Sequence, residues 1–221
     1  ATPTDIAPED VPCVAAAMNR FQGMSVRDAA TETYVKALYS GTLYRHLDPV
    51  LVGNLCQRPH KPVSLKKYLL VYAYGQRIRT RAEISAIREY ARSRGLKTVA
   101  VGGSQFWCDL YIPVSPFRLM DYFYYADCVI TDTFHGAIFS VINGKRFAVI
   151  PRATNRNKLS SLLSDLELQD RLLPDIACLE TVVSREVDYS RVEMILQEAR
   201  ARTREYLRKQ LGDTNEADKT F

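Results

Sequence analysis

Residues 126–150, ADCVITDTFHGAIFSVINGKRFAVI, constrain the fold of this chain more than any other stretch. Cys128-Val129-Ile130-Thr131 is a short apolar, β-favouring run, long enough for a buried strand. Asp132-Thr133-Phe134-His135-Gly136 then breaks the run with polar and flexible residues. From Ala137 the apolar positions Ile138, Val141 and Ile142 recur at helical spacing, and Asn143-Gly144 supplies a stop signal. Phe147-Ala148-Val149-Ile150 is a second apolar run, closed by Pro151. Strand, polar loop, helix and strand in this order predict a parallel βαβ unit. The loop leaving the first strand of such a unit lies at the carboxyl edge of the sheet, where ligands bind. The helix it opens aims unpaired N–H groups and a positive dipole end at that edge. His135 thereby faces a natural anion site. The plainer alternative is that Asp132 and Thr133 are caps and His135 a packed surface residue.

The flanking sequence continues the alternation. Tyr68-Leu69-Leu70-Val71-Tyr72-Ala73-Tyr74 is apolar on both faces, as a central parallel strand is. Thr80 opens a helix to Arg94, with Ile84, Ile87 and Ala91 along one side and Gly95 at the position after its end. Lys97-Thr98-Val99-Ala100-Val101 is the next strand, and Gly102-Gly103-Ser104-Gln105 its exit, a plain turn or a phosphate cradle. Helices are predicted over 116–125 and 159–168. Ser190-Arg191-Val192-Glu193 has the pattern of a capping box and opens a long helix to about Leu211, with an apolar stripe through Val192, Leu196 and Ala199. Strands alternating with helices predict an α/β fold, a Rossmann-like, doubly wound parallel sheet with helices on both faces.

Before this region the pattern is less regular. Residues 11–21 have weak helical character, 24–26 are extended, 29–38 read as a helix, and 47–55 are a short apolar element. Gln57-Arg58-Pro59-His60-Lys61-Pro62 is a basic, Pro-bounded connection and the best boundary in the chain. The expected division is 1–60 as linker and crossover, 61–185 as the Rossmann-like domain, and 186–221 as a terminal helix and frayed tail.

Composition narrows the class. Thirty Lys plus Arg against twenty-five Asp plus Glu leave a formal charge of +5, suited to anionic substrates or to peripheral contact with an inner-membrane surface. No basic block with interleaved aromatics is present, which argues against a nucleic-acid partner. The five cysteines are scattered and never form C-x-x-C, so a disulfide framework is not expected and a reducing cytoplasm is. Cys56 and His60 lack further ligands nearby, and no metal site is expected. No apolar stretch approaches the length of a bilayer span.

Taken together, several short elements resemble the polysaccharide pyruvyl transferase family. Residues 126–150 resemble its donor-binding core of strand, T-D-x-x-H-G loop and small-residue helix. Ser25-Val26-Arg27-Asp28 is similar to its interdomain S-V-R-D/E element, and Asp48-Pro49 to its D-P element. Ser115-Pro116-Phe117 is similar to the lead-in before the core, and Asn157-Lys158-Leu159-Ser160-Ser161-Leu162-Leu163 to the helix after it. The resemblance covers roughly residues 21–173. Many members carry Arg where this chain has Thr133, an Arg thought to hold an acidic group of the donor.

The resemblance implies transfer of a pyruvate ketal group from phosphoenolpyruvate to two hydroxyls of a sugar or lipid-linked saccharide, in cell-surface polysaccharide biosynthesis, with no cofactor. It also implies two Rossmann-like domains in the manner of GT-B glycosyltransferases. This chain is expected to be the C-terminal half, inactive alone, with its N-terminal domain absent. His135 is the expected acid/base, since histidine ordinarily titrates near neutrality. Asp132 orients that imidazole or caps the helix, a position Asp favours. The expected substrate contacts are Arg27, by the family motif, Thr133, the N–H groups from Phe134 onward, Gly136, and the basic residues Arg152, Arg156 and Lys158 after the next strand. Two other functions fit the same residues: a GT-B-type glycosyltransferase gripping a sugar nucleotide's diphosphate at this helix, and a non-catalytic half that binds a partner.

Overall fold

A computed structural model describes residues 6–53 and 59–212 of the chain. The end of the predicted 47–55 element lies outside the described residues, as do Cys56, the Gln57 and Arg58 of the predicted connection, the start of the predicted linker and the predicted frayed tail from Asp213. The chain divides into two compact units, residues 1–53 with 191–221, and residues 54–190.

In the first unit, α1 (Val11–Met18) leads to β1 (Met24–Val26), α2 (Ala29–Lys36), β2 (Leu43–Arg45) and α3 (Pro49–Val52). The two strands pair in parallel, with Met24 opposite Leu43. Asp28 caps α2 by accepting from the Thr31 N–H at 2.9 Å, and Asp48 caps α3 from the Val50 N–H at 3.0 Å. Val26, Val35 and Tyr39 form a small core beside them.

The second unit holds the predicted sheet. Its elements are β3 (Tyr68–Ala73), α4 (Arg81–Ser93), β4 (Lys97–Gly102), β5 (Leu110–Ile112), α5 (Pro116–Tyr125), β6 (Cys128–Thr131), α6 (Phe134–Ile142), β7 (Arg146–Val149), α7 (Arg156–Asp165) and α8 (Leu179–Ser184). The strands run in parallel in the order β5-β4-β3-β6-β7. Every residue of β6 is buried, as its unbroken apolar run requires. Leu69, Val71, Ala73 and Ile130 face Ile87 and Ala91 of α4 and Val182 and Val183 of α8. On the opposite face Tyr72 meets Phe123 of α5 and Phe139 of α6 edge-on, at centroid distances of 5.3 and 6.0 Å. The sheet is therefore doubly wound, α/β and Rossmann-like. Each of its fully buried large side chains contributes about 1.5–3 kcal/mol of transfer free energy.

Winding sets the position of the site. From β3 the chain moves outward through β4 to β5, returns to β6 on the other side of β3, and continues outward to β7. The strand order reverses between β3 and β6, so the crevice of such a sheet opens at their carboxyl ends.

The last helix, α9, spans Tyr189–Leu211 and buries Val192, Leu196 and Ala199. It starts one residue before the predicted cap, so Ser190 lies inside its first turn and closes no capping box. The Tyr189 hydroxyl, donating to the Lys145 carbonyl at 2.6 Å, anchors that start. At α4 Thr80 is the cap, as predicted, and Glu83 completes a capping box: Thr80 accepts from the Glu83 N–H, and Glu83 accepts from the Thr80 N–H. Among the described residues no helix is long and apolar enough to cross a membrane.

Candidate functional site

A cleft of about 270 Å³ opens at the switch point. It is lined by residues 72–75 at the end of β3, by Gly102 and Gly103 after β4, and by Thr133, Phe134 and His135 after β6. Two of these linings interlock through glycine. A Cβ on Gly103 would lie 2.2 Å from the Ala73 carbonyl oxygen and 2.4 Å from the Gly75 nitrogen, and Gly102 has a φ of +79°. The loop after β4 can press on the loop after β3 only because both residues lack side chains. Gln105 Nε2 then donates to the Tyr74 carbonyl at 2.8 Å, and the Gln76 N–H to the Ser104 carbonyl at 3.0 Å. The two glycines are explained by this packing.

The third lining is the N-terminus of α6. Thr131 Oγ1 donates its only proton to the Tyr72 carbonyl at 2.6 Å. It therefore accepts both from the Thr133 N–H and from the Thr133 hydroxyl, each at 3.1 Å. Thr133 Oγ1 in turn accepts from the Gly136 N–H at 2.9 Å and is the cap of α6. The cap is thus Thr133, and the expectation that Asp132 fills that place is corrected. A Thr133 proton already given to Thr131 is not offered to a ligand. Gly136 is buried, and a Cβ there would stand 2.0 Å from Thr131 Oγ1, so packing against the two threonines requires glycine. His135 is exposed on the first turn, its ring 5.6 Å from that of Phe134 and 5.9 Å from that of Phe139. The helix dipole and the first-turn N–H groups point out of this end.

Asp132 turns away from the cap and into a charge network. Its side chain is fully buried, with Oδ2 3.2 Å from Arg152 Nε and 3.3 Å from Arg77 Nε. Arg152 Nη1 donates to Glu83 at 2.5 Å, and its Nη2 to the Arg77 carbonyl at 3.4 Å. Arg77 Nη2 donates to Thr154 Oγ1 at 2.8 Å, and Asn155 Nδ2 to the Asp132 carbonyl at 2.7 Å. Three loops at the carboxyl edge, after β3, β6 and β7, are tied by these contacts. Burial pushes the Asp132 carboxyl above its ordinary value, against the opposing pull of the Arg152 hydrogen bond, of the two guanidinium charges and of the Tyr74 N–H. Burial also raises Glu83, but the hydrogen bonds from Arg152 and Thr80 outweigh it and hold that carboxyl below the usual range.

The remaining predicted contacts fall in different places. Arg152 uses its guanidinium within the network. Arg156 and Lys158 stand on the first turn of α7, outside the cleft lining, the first exposed and the second half-buried. Arg27 belongs to the first unit, where its Nη1 pairs with Asp48 Oδ2 at 2.5 Å and its side chain is 53% exposed. The Ser25–Asp28 and Asp48-Pro49 elements meet through this ion pair. Tyr74, Arg77 and Glu83 are site residues that sequence reasoning did not single out. Tyr74 carries a local signal, an aromatic residue at the carboxyl end of a strand, and so does Glu83, three residues after Thr80 in a capping-box pattern.

Other chemistry is bounded by the same neighbours. Among the described residues no group of three or more His, Cys, Asp and Glu could hold a metal ion. Burial pushes the thiols of Cys108 and Cys128 up to about 12, so neither offers a thiolate.

This chain belongs to the polysaccharide pyruvyl transferase family. The profile described as "Polysaccharide pyruvyl transferase" matches residues 2–154, from the first unit through α6 and β7 to the network residues Arg152 and Thr154. No curated protein matches the sequence. Among solved structures it is similar in part to several glycosyltransferases. Os79 from O. sativa, in complex with UDP and deoxynivalenol-3-glucoside, is 12% identical over 84% of this chain and 52% of its own, with a TM-score of 0.49. The glycotransferase of kitacinnamycin is 16% identical over 71% of this chain and 46% of its own, with a TM-score of 0.46. SnogD from Streptomyces nogalater is 13% identical over 80% of this chain and 57% of its own, with a TM-score of 0.43. The chain spans about half the length of these structures. Likenesses at this level leave substrate and activity to the residues of the site.

Proposed function

We propose that the protein transfers a pyruvate ketal group from phosphoenolpyruvate to a pair of hydroxyls on a saccharide, with His135 as the proton-transfer residue. The methylene carbon of the donor takes a proton, the first hydroxyl adds to the neighbouring carbon, phosphate leaves, and the second hydroxyl closes the ketal. Of the two hydroxyl protons, one ends on the new methyl group and the other on phosphate. Such a reaction needs a place for a carboxylate and a phosphate, and a group that gives and takes protons beside it.

The observation that carries the reading is His135 on the first turn of α6, inside the cleft at the switch point. It is the one histidine of that lining, and the helix end beneath it favours anions. Thr133 stands where many family members have Arg, so the donor's charge falls to first-turn N–H groups and the dipole. Arg156 and Lys158, on the first turn of α7 outside the cleft lining, supply further positive charge in this reading. Asp132 serves it indirectly, by fixing the loop that carries His135. A further domain supplies the opposite wall, and the acceptor is a sugar or lipid-linked saccharide met in the cytoplasm.

The test is acceptor-dependent release of phosphate from phosphoenolpyruvate by the natural full-length protein, with galactose-, mannose- and glucose-bearing acceptors. Release that His135→Ala lowers by roughly 10²–10⁴-fold supports the reading. Release unchanged in His135→Ala, or none with any acceptor while a sugar nucleotide is turned over, overturns it.

A further inference from the structure

Tyr74 is a large aromatic residue that follows a buried strand and yet is 64% exposed. It lines the same cleft as His135. Its backbone is held from two directions, the carbonyl accepting from Gln105 Nε2 at 2.8 Å and from the Arg77 N–H at 3.1 Å. Gln105 is buried, so this strut is itself fixed. The Arg77 guanidinium lies 5.3 Å from the Tyr74 ring centroid and is pinned by Asp132 and Thr154. A ring held in place while open to solvent is a surface arranged in advance for a ligand, and little conformational entropy is lost when one docks.

We propose that Tyr74 is the sugar-stacking floor of the acceptor subsite, its ring lying against the apolar C–H face of a pyranose while the hydroxyls turn toward His135. This rests on the pyruvyl transfer reading and assigns the residue that receives its acceptor. The lining chemistry selects that occupant. Apart from His135 the lining is aromatic, alanine, threonine and glycine surface. A neutral ring with one apolar face and a polar edge suits such walls. A nucleotide suits them less, because no carboxylate is present in the lining for ribose hydroxyls.

The experiment is an NMR titration that needs no turnover, using methyl β-galactopyranoside, methyl α-mannopyranoside, uridine monophosphate and phosphoenolpyruvate as separate probes. At least one glycoside should show saturation transfer from the protein and move amide signals of Tyr74 and Gly75. Tyr74→Phe should keep that binding, and Tyr74→Ala should weaken it about tenfold, the scale of an aromatic contact. Unaltered amide signals elsewhere in Tyr74→Ala show that the variant is folded. The phosphoenolpyruvate shifts on the first turn of α6 should persist in that variant. Glycoside binding undiminished in Tyr74→Ala overturns the proposal, as does absence of glycoside binding to the wild type. Uridine monophosphate binding that depends on Tyr74 overturns it in favour of a nucleotide. Failure of phosphoenolpyruvate alone, with glycosides still bound at Tyr74, strikes the donor reading and leaves the sugar subsite standing.

Discussion

Arg152 Nε lies 3.2 Å from Asp132 Oδ2, joining the loop after β7 to the loop that carries His135. The same guanidinium reaches Glu83, whose carboxylate closes the capping box of α4. A residue that looks from the sequence like a candidate anion contact is thus the brace behind the site. Its partner Asp132 is held by arginines from two other loops.

Removing that partner should be costly. Asp132→Ala takes the shared acceptor Oδ2 from Arg77 and Arg152 and unties the loops that it joins. Breaking a buried pair typically costs about 3–5 kcal/mol. The arginine side chains are 27% and 20% exposed, which places the expected loss nearer ~2–3 kcal/mol. Urea unfolding should show it as a lower midpoint at unchanged slope. An unchanged midpoint would mean that the network adds no stability.

Thr133→Val should cost about 1 kcal/mol, the usual value of an N-cap side chain, while Thr133→Ser should cost less than half of that. The cap contact is the 2.9 Å hydrogen bond from the Gly136 N–H, and the hydroxyl proton is already held by Thr131. Thermal unfolding of the two variants checks the order. A larger loss in Thr133→Ser than in Thr133→Val would show that the methyl packing, and not the hydroxyl, is what Thr133 supplies.

Gly136→Ala should be the more damaging change at the same turn. Its new methyl group would stand 2.0 Å from Thr131 Oγ1 and 2.7 Å from Thr133 Oγ1, so the threonine pair must separate. Overpacking of this kind costs about 1–3 kcal/mol. Faster hydrogen exchange across α6 should accompany the loss, and wild-type exchange rates in the variant would refute the packing role.

Much of this architecture is legible in the sequence. β3, β4, β6 and β7 are buried on both faces, so their apolar runs are unbroken and locate them directly. β5 and β2 are not legible, because each has three residues and none of those is buried. The loop holding His135 is legible for the same reason as the strands, since strand, polar break and helix place it at the carboxyl edge. The role of Asp132 is not. Its partners Arg77 and Arg152 are distant along the chain, and capping is the local explanation that a short polar loop suggests. The threonine relay is hidden in the same way, because the direction of its protons depends on the Tyr72 carbonyl of a neighbouring strand.

The first unit should weaken in mild acid through His46. Thr203 Oγ1 donates to the Ala199 carbonyl and so accepts from His46 Nδ1, at 3.0 Å, which leaves a buried Nε2 without a partner. Burial first, and the Arg202 charge second, hold this imidazole below its ordinary value of 6.5. Tyr44 and Tyr206 pack against the ring and supply no negative charge. A histidine whose pKa is lowered on folding contributes its full stability above the unfolded value and loses it as pH falls below about 6.5. The fall in Tm between about pH 7.5 and about pH 5.5 should therefore be smaller in His46→Gln than in the wild type. An identical fall in both would remove His46 from the account.

The most direct test of the central claim is a titration of phosphoenolpyruvate into the ¹⁵N-labelled protein. The account predicts saturable shifts of the His135, Gly136 and Ala137 amides at the start of α6, competed by inorganic phosphate and weakened by salt, as binding to a helix N-terminus and basic side chains requires. Shifts confined to other parts of the molecule, or none at saturating phosphoenolpyruvate, would contradict it.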